Sequence, residues 1–153
     1  MMSIVTMGCK VAEVHHKYDS IHNTMFGATS FRLIIANMTG QTAKIYRTSQ
    51  QSLEQLQLQL SELSAAIPST KAGAAVHQAD QLRVALSDYV LVLDKAIVTL
   101  QDMFVRLLND EDAYSAITEH GKSAFTLDRI RYDRVLMQLE QRGSDLNQLF
   151  SRF

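Results

Sequence analysis

The strongest constraint on this chain is a long apolar stripe with a helical period in its third quarter. From Leu82 to Leu107, apolar side chains recur at steps of three and four residues, which places them on one face of a helix. The stripe consists of Leu82, Leu86, Tyr89, Leu93, Ala96, Leu100, Met103 and Leu107, and it is widened by Val84, Leu91, Ile97 and Phe104. A stripe of this width favours a helical bundle over an isolated two-stranded coil. We predict a helix over 72–108.

A second stripe with nearly the same spacing precedes the first. Its members are Ile35, Met38, Thr42, Ile45, Ser49, Leu53, Leu56, Leu60, Leu63 and Ile67. Steps of three and four alternate along it, as in a heptad repeat, and predict a helix over 30–66. Leu58 lies off this stripe, Gly40 marks a potential bend, and Pro68 predicts the turn that ends the helix.

The same reasoning predicts three further helices, over 9–26, 111–120 and 123–151. Residues 1–8 are apolar and end at Gly8. They allow two interpretations, a flexible tail or a segment that docks on the bundle.

The scarcity of turn residues supports a helical fold. The chain has one proline and six glycines in 153 residues, fewer than a long all-β fold would need. We therefore predict a single all-α domain over 1–153. It is an antiparallel bundle of four to five helices, two or three of them long.

Charge and composition exclude several classes of partner. The formal net charge of −1 gives no overall field for binding nucleic acid. No apolar run reaches the roughly 20 residues that span a membrane. Cys9 is the single cysteine, so no intramolecular disulfide can form, and the N-terminus lacks the features of a signal peptide. We expect a cytoplasmic protein.

One group of polar side chains has the chemistry of a metal site. His15, Asp19 and His22 follow one another at steps of four and three, so they share one helical face. Imidazole nitrogens and carboxylate oxygens are common metal ligands. No HExxH motif and no repeated ExxH helix accompanies them, so a solvated polar face is the alternative interpretation.

No catalytic or cofactor-binding motif is present in the sequence. It contains no GxSxG, CxxC or GxxxxGK[ST] pattern. Cys9 and His15 are separated by about 9 Å of helical rise, too far for a nucleophile and its base. We expect a non-catalytic protein without a cofactor. An enzyme whose site is assembled across helices is the third hypothesis.

The N-terminal quarter is the predicted partner-binding surface. Methionine packs adaptably and is frequent on such surfaces. The face consists of Met7, Val11, Val14, Tyr18, Ile21, Met25 and Phe26. The alternative is that these side chains dock on the chain's own bundle. The last helix carries Arg129, Arg131, Arg134 and Arg142 among acidic residues, a mixture typical of a solvated, salt-bridged face.

The third predicted helix carries more apolar side chains than one bundle contact requires. The surplus consists of Val84, Val90, Leu91, Val98 and Val105. A symmetric dimer is the commonest way to bury it, although the first and fourth predicted helices could also cover it. We therefore expect a helical interaction module, a scaffold, adaptor or chaperone-like accessory protein, that self-associates or holds a partner helix. A metal- or cofactor-binding bundle is the alternative.

Overall fold

The computed structural model describes residues 2–26, 42–70, 76–109 and 124–152. Four α-helices make up these ranges: α1 (Ile4–Phe26), α2 (Thr42–Ala66), α3 (Val76–Asn109) and α4 (Ala124–Phe150). A short 3-10 helix, Ile67–Ser69, contains Pro68 and ends the α2 segment as predicted. The all-α class is confirmed. The predicted helix over 111–120 and the bend near Gly40 lie outside the described residues.

Helix α1 begins at Ile4, whereas the sequence predicted a start at residue 9. Ser3 is its N-cap, because the Ser3 hydroxyl accepts a hydrogen bond from the Thr6 backbone N–H at 3.1 Å. Gly8 lies inside the helix, where the Phe150 ring of α4 packs against it so closely that a Cβ would be 2.8 Å from Phe150 Cζ. Residues 4–8 are part of α1 and pack on the bundle, with Ile4 and Met7 buried.

The described members of the two apolar stripes form the centre of the core. Helix α3 packs most extensively against α4 and α2, and it also contacts α1. The fully buried side chains include Met7 and Tyr18 from α1, Leu53 and Leu60 from α2, Leu82, Leu86, Leu93 and Ile97 from α3, and Tyr132 from α4.

Helices α3 and α4 run antiparallel. Arg106, near the end of α3, binds Asp128 near the start of α4, whereas Tyr89 in the first half of α3 lies beside Gly143 near the end of α4. In the Arg106–Asp128 pair, Arg106 Nη1 donates to both carboxylate oxygens at 2.8 Å. None of the described helices contains an apolar stretch that could cross a lipid bilayer.

Candidate functional site

Histidines and tyrosines from three helices meet where α1 packs on α3 and α4. We call this group the tyrosine–histidine network. It consists of His15, Tyr18 and His22 on α1, Tyr89 on α3 and Tyr132 on α4. Helical spacing puts His15 and His22 on one face with Asp19, as predicted, and Tyr18 lies beside them although it was predicted as part of the apolar face. Tyr89 and Tyr132 occupy core positions of α3 and α4, where a buried phenol needs a hydrogen-bond partner.

The Tyr132 hydroxyl links α4 to α1 at two points. It hydrogen-bonds to the Tyr18 hydroxyl, and it lies 2.7 Å from Nδ1 of His22. Tyr18 can donate to Tyr132, which then donates to a neutral His22, so one chain of donors satisfies all three groups. The His22 ring also contacts Phe26, with ring centroids 5.2 Å apart, and the Arg129 guanidinium lies 4.0 Å from the Phe26 centroid.

His15 forms a second branch of the network. Its Nδ1 hydrogen-bonds to the Tyr89 hydroxyl, and its Nε2 lies 3.2 Å from Oδ2 of Asp19. The His15 and Tyr89 rings are nearly parallel, with an interplanar angle of 11° and centroids 5.9 Å apart. Both ring nitrogens of His15 therefore have partners within the chain.

Burial favours the uncharged forms of the three phenols and of His22. It raises the pKa of Tyr18, Tyr89 and Tyr132 above the usual range for a phenol. Burial also lowers the pKa of His22, and the positive charge of Arg129 lowers it further. Protonated phenols and a neutral imidazole are the forms that the hydrogen-bond chain uses.

Asp19, His15 and Tyr89 stand in the order carboxylate, imidazole, hydroxyl, which is also the order of a catalytic triad. A nucleophilic hydroxyl must lose its proton readily, and its oxygen must be open to substrate. Burial raises the pKa of the Tyr89 hydroxyl, so this phenol holds its proton tightly. The arrangement therefore suits a structural hydrogen bond better than nucleophilic chemistry.

The predicted metal-binding residues lie together but have separate partners. His15 binds Asp19 and Tyr89, whereas His22 binds Tyr132. They line an open groove of about 740 Å³ between α1 and α4. Within the described ranges, no three His, Cys, Asp or Glu side chains are placed to hold one metal ion. The hypothesis of a metal site thus gains no support from this geometry.

The predicted partner-binding face of α1 lies mostly inside the bundle. Its buried members are Met7, Val11, Val14 and Tyr18, while Ile21 and Phe26 are half-buried and pack against the core. The side chain of Met25 lies outside what the structure describes. The partner-binding interpretation of this face stays a prediction, but here α1 uses the face to contact its own chain. A partner could reach it only if α1 moved.

An exposed apolar surface is found instead on α3. We call Val84, Leu91, Val98 and Val105 the outer stripe of α3, because they recur every seven residues on the side away from the core. Val84 is 63% exposed and Leu91 is 68% exposed, while Val98 and Val105 are half-buried. Val90, the fifth member of the predicted surplus, is buried in the core at 3% exposure. The fold therefore covers only part of the surplus.

Tyr89 and Tyr132 are the network residues that sequence reasoning did not assign. Tyr89 belongs to the apolar stripe from Leu82 to Leu107, and its helical spacing gives Tyr132 a similar position in the last helix. The available signal was the hydroxyl itself, since a tyrosine among leucines at a core position requires a buried partner.

Comparisons with protein-family models, with curated proteins and with solved structures found no match for this chain.

Proposed function

We propose that this chain is a non-catalytic helical interaction module that self-associates through the outer stripe of α3. The observation that carries the proposal is the exposure of Val84 and Leu91 at heptad spacing on the longest helix described. Single exposed apolar residues are ordinary on protein surfaces. A row of them at steps of seven offers a second helix one apolar contact in every two turns.

The size of the stripe fits a helix-to-helix contact. Val84 and Val105 are 21 residues apart, which corresponds to about 32 Å along a helix. Complete burial of a valine or leucine side chain contributes roughly 1.5–3 kcal/mol. Val84 and Leu91 are mostly exposed, so each would gain most of this contribution on association.

The tyrosine–histidine network supports the proposal indirectly. Because its hydrogen bonds join α1 to α3 and α4, they favour one arrangement of the bundle and so a rigid position for α3. A preorganised surface loses less conformational entropy when it binds.

Leu91→Glu tests the proposal against a matched control. A carboxylate in an apolar contact loses its hydration without gaining a partner, so self-association should weaken by about tenfold or more. Leu58 on α2 is also 68% exposed, but the residues seven before and after it are Gln51 and Ala65. Leu58→Glu should leave association unchanged. Sedimentation equilibrium of tag-free protein measures both effects.

Two outcomes would contradict the proposal. One is a wild-type protein that sediments as a 17.2 kDa monomer at concentrations on the order of tens of micromolar. The other is self-association that Leu91→Glu and Leu58→Glu weaken equally.

A further inference from the structure

The two ends of α1 are held to the bundle by different kinds of contact. The buried side chains before Tyr18 are apolar and at most 3% exposed: Ile4, Met7, Val11 and Val14. Beyond Tyr18, no side chain of α1 that the structure describes is buried, and Ile21, His22 and Phe26 are half-buried. We call residues 18–26 the distal segment of α1. Apart from the Tyr18 ring, it removes little apolar surface from water and depends more on hydrogen bonds and ring contacts.

The hydrogen bonds of the distal segment suit only a neutral His22. Tyr18 donates to Tyr132, and Tyr132 donates to Nδ1 of His22, so both phenol protons have acceptors. A protonated His22 can only donate, and Tyr132 must then turn its own proton toward Tyr18. The Tyr18 proton is left without an acceptor among the described residues, on a side chain that is 1% exposed. A buried donor without a partner is unfavourable, so protonation of His22 opposes the closed arrangement.

The charges around His22 do not compensate for this loss. Burial and the positive charge of Arg129 on α4 lower the pKa of His22, while Asp19 on α1 and Asp133 on α4 oppose the shift. Both carboxylates already have partners, since Asp133 accepts a hydrogen bond from Arg129 at 3.0 Å and Asp19 lies 3.2 Å from Nε2 of His15. Among the described residues, none of the charges that shift the pKa of His22 belongs to α2 or α3.

Solvent can deliver a proton to His22 while the bundle stays folded. His22 lines the open groove of about 740 Å³ between α1 and α4, together with Asp19 and Glu140. Once the distal segment leaves α4, the imidazole is hydrated and has the ordinary histidine pKa of about 6.5. The open form therefore binds the proton more tightly than the closed form, and its population rises as pH falls below that value.

We infer that the distal segment of α1 is a proton-sensitive latch, in which protonation of His22 releases residues 18–26 from α4 while residues 4–14 stay docked. The release is local because the buried side chains of residues 4–14 are apolar and do not titrate. Opening the latch uncovers Tyr132 and the ring of Phe26, which contact each other in the closed form. This inference does not depend on the proposed self-association, because it concerns the contact of α1 with α4 and not the outer stripe of α3.

Hydrogen exchange of the wild-type protein at about pH 7.5 and about pH 5.5 tests the latch, with rates corrected for the intrinsic effect of pH. Protection of residues 18–26 should fall severalfold at the lower pH. The upper limit is about tenfold, because this pH lies about one unit below the ordinary histidine pKa. Protection of residues 4–14 should change by less than about twofold.

Two results of this comparison would overturn the inference. Equal loss of protection in both parts of α1 would mean that the helix opens as a whole or that the bundle unfolds. Unchanged protection of residues 18–26 would mean that protonation of His22 does not release them. Neither result requires a variant protein.

A matched pair of variants assigns the effect to His22. Glutamine at this position can still accept from Tyr132 but cannot be protonated, so His22→Gln should abolish the pH effect on residues 18–26. His16 is an exposed histidine on the same helix, and His16→Gln should leave the effect unchanged. A pH effect that persists in His22→Gln, or one that disappears in His16→Gln, would overturn the inference.

Circular dichroism checks that each variant keeps its helices. If His22→Gln does not fold, Arg129→Gln takes its place. This change removes the positive charge that opposes protonation of His22, so the pH effect on residues 18–26 should become smaller. An effect as large as that of wild type in Arg129→Gln would contradict the assignment to His22.

Discussion

At the scale of single residues, the most consequential group is the Tyr132 hydroxyl. It is a polar atom in an apolar core, and it is shared by Tyr18 and His22. Buried polar groups cost free energy unless they are paired, and their geometry then restricts how the surrounding helices can pack. A slip of α1 along α4 by one turn would break both hydrogen bonds at once.

Tyr132→Phe should therefore destabilise the fold by about 1–3 kcal/mol, because Tyr18 and His22 lose a common partner while the ring volume is kept. Urea unfolding measures the change. The double variant Tyr18→Phe, Tyr132→Phe should cost less than the sum of the two single variants, since it removes both hydroxyls of one hydrogen bond. Strict additivity would show that the two hydroxyls are not coupled.

His22 should make stability depend on pH. Burial and Arg129 lower its pKa in the folded chain, although Asp19 and Asp133 oppose the shift. The unfolded chain therefore binds the proton more tightly. The contribution of His22 is complete above the ordinary histidine pKa of about 6.5 and is lost as pH falls below it.

Urea midpoints measured from about pH 7.5 down to about pH 5 test this effect. In the His22→Gln variant the loss of stability on acidification should be smaller than in wild type. The amide oxygen can still accept a hydrogen bond from Tyr132, so the network is not simply removed. An unchanged dependence on pH would mean that His22 binds its proton equally well in the folded and unfolded chains.

At the scale of helices, apolar periodicity predicted the elements well, whereas Gly8 does not mark the helix boundary expected there. Gly8 was expected to end a tail, but it lies inside α1, and Gly143 lies inside α4. Glycine ends a helix when its backbone turns left-handed, whereas inside a helix it can serve close approach by a neighbour. Sequence alone does not distinguish these uses, because the neighbour belongs to a distant helix.

The two glycines should respond differently to alanine. At Gly143 a Cβ would lie 3.4 Å from Tyr89 Cε2, an ordinary contact, so Gly143→Ala should stabilise the protein by about 0.5–1 kcal/mol. At Gly8 a Cβ would lie 2.8 Å from Phe150 Cζ, and displacement of that ring should cancel the gain. Thermal unfolding of the Gly143→Ala and Gly8→Ala variants measures the two changes in stability. Equal stabilisation by both alanines would show that the Phe150 contact carries no cost.

At the scale of the whole molecule, the sequence predicts the fold better than it predicts the surfaces. Val90 and Leu91 both looked like surplus apolar residues of the third helix. In the bundle Val90 is buried and Leu91 is 68% exposed, because adjacent helical residues point about 100° apart. Which of the two faces a neighbouring helix depends on how all the helices are arranged, and periodicity within one helix does not contain that information.

The same limit applies to the candidate site. The shared face of His15, Asp19 and His22 follows from their spacing and is seen in α1. Their partners Tyr89 and Tyr132 lie 74 and 110 residues away from the histidines that they bind. A helix that buries an apolar face against its own chain has the same pattern as one that buries it against a partner. For this reason the sequence predicts the apolar face of α1 but does not predict which surface covers it.

The tyrosine–histidine network also gives the protein an intrinsic optical reporter. The chain has no tryptophan and five tyrosines, three of which belong to the network. Near-ultraviolet absorbance, emission and circular dichroism of the native protein therefore arise largely from the place where α1 meets α3 and α4. These signals would report the packing of α1 on α3 and α4 without an attached label.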